Sequence, residues 1–218
     1  MTHDQIIDLL HRRHSCREFT DQTVSKQDLS TILEAGRLAP NSMGKEPWRF
    51  VVISKESPVM QELIPLSWAA TKQLETCSHL IVVLNRNPND MQHDSAYLDH
   101  IIRNVQQRPE ERIEPFKTII RDTINAQRLG GSAEALNNYA VLQTYLATAY
   151  MSLTASMLGV DTCIMGGYDE AKATEVLITH GLLDPAHFNL SIFLAVGYGA
   201  AEPTPKKRQA FDDVVVWA

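Results

Sequence analysis

Arg12-Arg13-His14-Ser15-Cys16-Arg17 puts three guanidinium groups and a hydroxyl within six residues. The guanidinium is a rigid fork of donors that matches the oxygens of a phosphate. The same cations sit where an N-terminal helix should end, so they can also complement the negative end of that helix. Spacing alone leaves both readings open. A second basic run, Pro205-Lys206-Lys207-Arg208, lies near the other end of the chain. By itself it reads as a solvated patch, and it becomes an anion site only if it folds against the first.

Two further segments can bring backbone close to a ligand. Gly166-Gly167 follows the strand-like run Asp161–Met165, which includes Ile164 and Met165, and precedes a helix that Asp169 can start. Glycines at such a turn let a ligand approach the amides, or simply make the turn tight. Pro40-Asn41-Ser42-Met43-Gly44-Lys45-Glu46-Pro47-Trp48 leads into another strand. Its short polar groups can line a ring, or it is an ordinary helix-to-strand loop. No GxGxxG, P-loop or GxSxG pattern is present. His93 and His100 are two helical turns apart, which is wrong for an i, i+4 metal pair. His14 and Ser15 are neighbours and do not face each other, so they form no dyad.

The elements that must position these groups are legible in part. Thr2 and Gln5 match a capping box, which predicts a helix from Thr2 to about Arg13. Ser25, with Val24 before it and Asp28 after it, starts a second helix that ends at Gly36. Phe50–Ser54, His79–Asn85, Leu190–Val196 and, more weakly, Asp161–Met165 are apolar on both alternating faces, as strands covered on two sides must be. Ser132 to Leu158 reads as one long helix, apolar nearly all round, hence buried in a core or a subunit interface. Asn104–Gly131, with Pro109 and Pro115, is rich in Gln, Arg and Glu and predicts solvated helices, a place for a mobile lid. The tail Phe211–Trp217 reads as a further strand with no local partner. Together these predict an α+β or α/β sandwich around a small central sheet.

Composition narrows the function classes. The chain has 218 residues, 44% hydrophobic and 21% charged, which fits one globular domain over 1–218. The formal net charge is −6, against the basic face that general nucleic-acid binding requires. Cys16, Cys77 and Cys163 are too far apart for CxxC chemistry and read as reduced thiols. The N-terminus does not read as a signal peptide, and Ala135–Val160 is too polar to cross a membrane. A cytoplasmic protein is expected.

Taken in order, the motifs resemble the FMN-dependent nitroreductase family. Arg13-His14-Ser15-Cys16-Arg17 resembles its R-[HS]-S-x-[RK] phosphate motif, and Pro40–Trp48 its P-S-x-x-N-x-Q-P-W loop. Gln143–Tyr168 is similar to its central helix, strand and flavin-edge turn, and Pro205–Arg208 to its P-K-x-R ending. The resemblance runs from about residue 7 to 210 and is poor over 87–131. Gly44 and Glu46 replace the loop's Asn and Gln, and that Glu would bring a negative charge near the ring.

The resemblance implies a three-layer α-β-α sandwich with a mostly antiparallel sheet, and a homodimer holding FMN at its interface. The phosphate would meet Arg13, His14, Ser15, Arg17, Lys206 and Arg208. The ring would meet Pro40, Asn41 and Ser42 on one side and Ile164, Met165, Gly166 and Gly167 near N5, with Gln73, or Lys72 beside it, at the pyrimidine edge. The tail 211–218 would exchange with the other subunit, and Phe116 would serve as an aromatic lid. The implied activity is ping-pong reduction of nitroaromatics, quinones or free flavin by NADH or NADPH. Reductive dehalogenation, enone reduction and flavin storage without turnover are the rivals.

Overall fold

The computed structural model describes residues 1–126 and 132–218. Helices α1 (His3–Arg12) and α2 (Lys26–Arg37) come first. Thr2 and Gln5 close the expected capping box, at 3.3 and 2.8 Å. Ser25 caps α2 through the Asp28 amide at 3.0 Å. Strand β1 (Trp48–Ser54) is followed by α3 (Pro58–Leu63), α4 (Thr71–Thr76) and β2 (His79–Arg86). Then come α5 (Ala96–His100), a π-helical turn (Ile101–Val105), α6 (Glu110–Ala126) and α7 (Ala133–Met157). Strand β3 (Asp161–Met165), α8 (Glu170–Thr179), β4 (Phe188–Gly197) and the one-turn α9 (Phe211–Val214) complete the chain.

The four strands make one antiparallel sheet in the order β1-β2-β4-β3. Its two faces bury different side chains, as strand alternation requires. Leu80, Val82, Leu84, Cys163 and Phe193 pack with α3, α4 and α8 residues on one side. Ile81, Val83, Ile192 and Leu194 meet Ile32 of α2 and Met151 and Ala155 of α7 on the other. The expected three layers are therefore present. A register shift between Val83 and Leu84 leaves Ser191 unpaired, so Leu190 and Phe193 reach the same face. The freed Ser191 hydroxyl bonds Thr144 of α7 at 2.6 Å.

Three expectations need correction. Helix α2 runs past Gly36, which is not its stop signal: a Cβ there would lie 2.8 Å from the Met151 side chain, so glycine lets α2 and α7 approach closely. The segment read as solvated helices has a core of its own. Ile113, Ile120 and Ile124 of α6 bury against Leu136 and Tyr139 of α7, Leu98 of α5 and Met91. Pro115 sits inside α6 in its first turns and does not break it. Residues 127–131 of that segment lie outside the described residues. The tail is not a strand: α9 occupies its first half, and Phe211, Val214, Val216 and Trp217 are exposed.

Candidate functional site

The first basic cluster is built against the edge of the sheet. After α1 the chain pairs with β3 through a Ser15–Thr162 bridge, with the Cys16 amide donating to the Thr162 carbonyl at 3.0 Å. Extended backbone then sends Cys16 into the core, at 4% exposure, and leaves Ser15 and Arg17 outside. The His14 ring turns to the Arg12 carbonyl, at 3.2 Å, and to Asp161, at 3.6 Å.

Lys206 joins the two ends of the chain. Its ammonium donates to the carbonyls of Leu10 and His11, at 2.6 and 2.7 Å, and to that of Arg13. These are orphan carbonyls at the end of α1, so Lys206 is the cation that complements the helix C-terminus. That leaves the guanidinium of Arg13 free for another role. Partial burial, then the charges of Arg13 and Arg208, hold Lys206 below its ordinary pKa. Arg13, Lys206 and Arg208 are thus crowded together. Arg13, Arg17 and Arg208 have no carboxylate within salt-bridge distance among the described residues.

Gln73 and Cys163 extend the group. Burial raises the Cys163 thiol pKa, and the Gln73 side-chain hydrogen bond and the charges of Arg17 and Arg13 act against that rise. Gln73 is buried and turned inward, whereas Lys72 pairs with Glu18 at 3.2 Å. Of the two neighbours, Gln73 is the one aimed at β3. The donor set fits a phosphate: Arg13 stands with Arg17 near Cys163 and with Arg208 near Lys206, a hydroxyl lies on the same strip, and no carboxylate competes for the three guanidinium groups among the described residues.

The Gly166-Gly167 turn leaves the end of β3, with Ile164 exposed and Met165 buried. A Cβ on Gly167 would lie 2.3 Å from the Ala69 Cβ, so this glycine is required by the neighbouring loop. The Ala69 amide donates to the Gly167 carbonyl, and the Asp169 amide to that of Leu66, at 3.1 and 2.9 Å. Gly166 is exposed, and a Cβ there would approach the Ile192 side chain no closer than 3.5 Å.

The Pro40–Trp48 loop is tied to α7 instead. Gln143 accepts from the Ser42 amide at 2.9 Å, and Tyr139 hydrogen-bonds Ser42. The Asn41 oxygen accepts from the Glu46 amide at 2.8 Å, so this side chain closes its own loop. The Tyr97 hydroxyl reaches the carbonyls of Lys45 and Glu46, both at 2.7 Å. Sequence reasoning missed Gln143 and Tyr97. A Gln on the buried face of an apolar helix was the available signal for the first.

Loop and turn are anchored separately: Gln143 and Tyr139 of α7 hold the loop through Ser42, and the Ala69 amide holds the Gly167 carbonyl of the turn.

The Nitroreductase family profile matches residues 10–198. A Staphylococcus haemolyticus protein with the name "Putative NAD(P)H nitroreductase" is 39% identical over 98% of this chain and 97% of its own. A Staphylococcus aureus protein of the same name is 38% identical over 97% and 95%. A solved structure from Exiguobacterium sibiricum, described as a "putative nitroreductase in complex with FMN", superposes with a TM-score of 0.77 at 24% identity, covering 100% of this chain and 98% of that one. Among the described residues no helix is long and apolar enough to cross a membrane. On the profile match and the full-length identity, the chain belongs to the Nitroreductase family.

Proposed function

We propose that the protein is an FMN-dependent oxidoreductase that takes electrons from NADH or NADPH and passes them to a planar, electron-poor acceptor such as a nitroaromatic or a quinone. When bound, FMN supplies two-electron hydride chemistry at N5, in two half-reactions that share one site. The observation that carries this reading is the convergence of Arg13, Arg17, Lys206 and Arg208 from opposite ends of an acidic chain. With the Ser15 hydroxyl, the three guanidinium groups hold the cofactor's phosphate by charge-assisted hydrogen bonds, while Lys206, its three protons committed to the carbonyls of Leu10, His11 and Arg13, adds its charge. Gln73, rather than Lys72, serves the ring edge on the β3 side. The exposed Gly166 and its neighbour Gly167 offer backbone donors where charge develops.

Pro40, Asn41 and Ser42 line the ring through their backbone, since the Asn41 side chain is engaged within the loop. They come from a second copy of the chain, in keeping with the interface cofactor that the family resemblance implies. An apolar stripe supports this pairing: Leu142, Leu146, Tyr150 and Met157 of α7 are 43–63% exposed, joined by Ile6, Ile7 and Leu10 of α1. A continuous stripe of this kind marks an interface. The exposed tail 211–218 belongs to the same dimer, exchanged with the second copy.

Absorbance tests the reading. The purified protein should carry a flavin spectrum and bleach anaerobically with NADH or NADPH, then recover its colour with nitroaromatic, quinone or enone acceptors. A colourless protein that FMN cannot reconstitute would overturn it. Flavin that neither nicotinamide bleaches would favour a binding protein without turnover.

A further inference from the structure

A cavity of about 550 Å³ lies between the 43–46 turn and the 105–109 elbow. Three described non-glycine residues have left-handed backbone: Met43 at φ 59°, Glu46 at φ 47° and Gln107 at φ 49°. All three line this one cavity. Such backbone is costly and persists where the surroundings enforce it, which happens most at ligand sites. A π-helical turn, another feature associated with function, leads into the elbow.

The enforcement is visible. The Gln106 amide nitrogen donates to the carbonyls of Met43 and Gly44, at 2.9 and 3.0 Å, clasping the turn to the elbow. The Gln106 oxygen accepts from Arg108 Nε at 2.8 Å. The Arg108 guanidinium lies over the Phe116 ring, 3.5 Å from its centroid. One edge of the guanidinium is therefore fixed and one face covered, while its terminal nitrogens bond nothing and meet no carboxylate among the described residues. This is a preorganised fork that has already lost most of its rotational freedom.

We propose that Arg108, on its Phe116 platform, is a specificity-determining residue that takes the oxyanion of a co-substrate. The inference rests on the flavoenzyme reading above: the 40–42 segment proposed to line the ring runs directly into Met43, so a substituent of a molecule stacked there enters this cavity. The oxyanion is a carboxylate on the electron acceptor or a phosphate of the nicotinamide dinucleotide. Glu46 lines the same cavity and opposes a second negative charge.

The test uses the flavin-loaded full-length protein and the variants Arg108→Gln and Arg108→Lys. Calorimetry measures the binding of 4-nitrobenzoate, its neutral analogue 4-nitrobenzamide, and ADP-ribose. Steady-state kcat/KM is then measured for both nitro compounds and for NADH and NADPH. The expected result is that Arg108→Gln weakens one anionic probe, relative to the neutral one, by about tenfold or more, as loss of a charged hydrogen bond implies. Arg108→Lys should restore most of that ratio. Selective loss on nitrobenzoate assigns the acceptor as the source, and loss on ADP-ribose and the nicotinamides assigns the dinucleotide. Equal losses on charged and neutral probes, unchanged ratios, or a wild type that binds neither anion would overturn the proposal. Failure of the flavoenzyme reading would show separately, as a protein without FMN or one that no nicotinamide bleaches.

Discussion

Lys45 should destabilise the fold at neutral pH, and replacing it should show this. The residue is 2% exposed, and its ammonium lies 4.9 Å from the Tyr139 ring centroid. No carboxylate lies within salt-bridge distance among the described residues. Burial pushes its pKa from the ordinary 10.5 down to about 8. At about 1.4 kcal/mol per unit, that gap corresponds to about 3 kcal/mol of unfavourable burial of charge. The cation–π contact with Tyr139 returns about 1 kcal/mol. Lys45→Met keeps the length of the side chain and should therefore stabilise the protein by about 2 kcal/mol at pH 7. The sign with pH follows from proton binding. Between the two pKa values the unfolded chain holds the proton and the folded chain does not, so wild-type stability rises with pH there. The advantage of the variant should be constant below pH 8 and shrink towards pH 10.5. Urea denaturation of both proteins at one concentration measures it, as a midpoint shift of about 1 M at pH 7. A variant less stable than wild type at pH 7, or an advantage that does not narrow at high pH, would refute the reasoning.

Other outcomes follow from the same geometry. Arg13→Ala and Lys206→Ala should each raise the FMN dissociation constant about tenfold or more, measured by equilibrium dialysis; unchanged retention in both would remove them from the phosphate site. In the flavin-free protein only Lys206→Ala should also lower the melting temperature, because it uncovers the carbonyls of α1. Gly167→Ala should cost about 1–3 kcal/mol, since its methyl would collide with Ala69 at 2.3 Å, whereas Gly166→Ala should be tolerated with Ile192 at 3.5 Å; comparable melting temperatures for the two would contradict the packing argument. Deleting residues 211–218 should weaken the dimer in sedimentation experiments, and an equally stable truncated dimer would argue against exchange of the tail.

What could be read from the sequence depended on how local the cause was. The capping box at Thr2 and Gln5, the cap at Ser25 and the four strands follow from neighbouring residues, and they sit where their patterns place them. Gly36 misled because its reason is a helix crossing at Met151, more than a hundred positions away. The polar composition of 104–126 concealed Ile113, Ile120 and Ile124, whose partners lie on α5 and α7. The tail misled differently: the consecutive β-branched residues Val214, Val215 and Val216 favour a strand, but β structure needs a neighbouring edge, and Phe211–Val214 coils into a turn of helix instead.

The candidate site divides along the same line. Residue types named the donors around Arg13 and Lys206, but only the fold shows which cation does what. Two readings of the first cluster competed, a phosphate site and a complement to the helix end. Lys206 makes them compatible: by donating to the last carbonyls of α1, it satisfies the helix and draws Arg208 to Arg13. The cost is a set of like charges held close together, which adds to burial in depressing the pKa of Lys206. Like charges held without a counter-charge are worth their electrostatic cost only if an anion completes them. The crowding, rather than the number of basic residues, is therefore the physical argument for a phosphate at this end of β3.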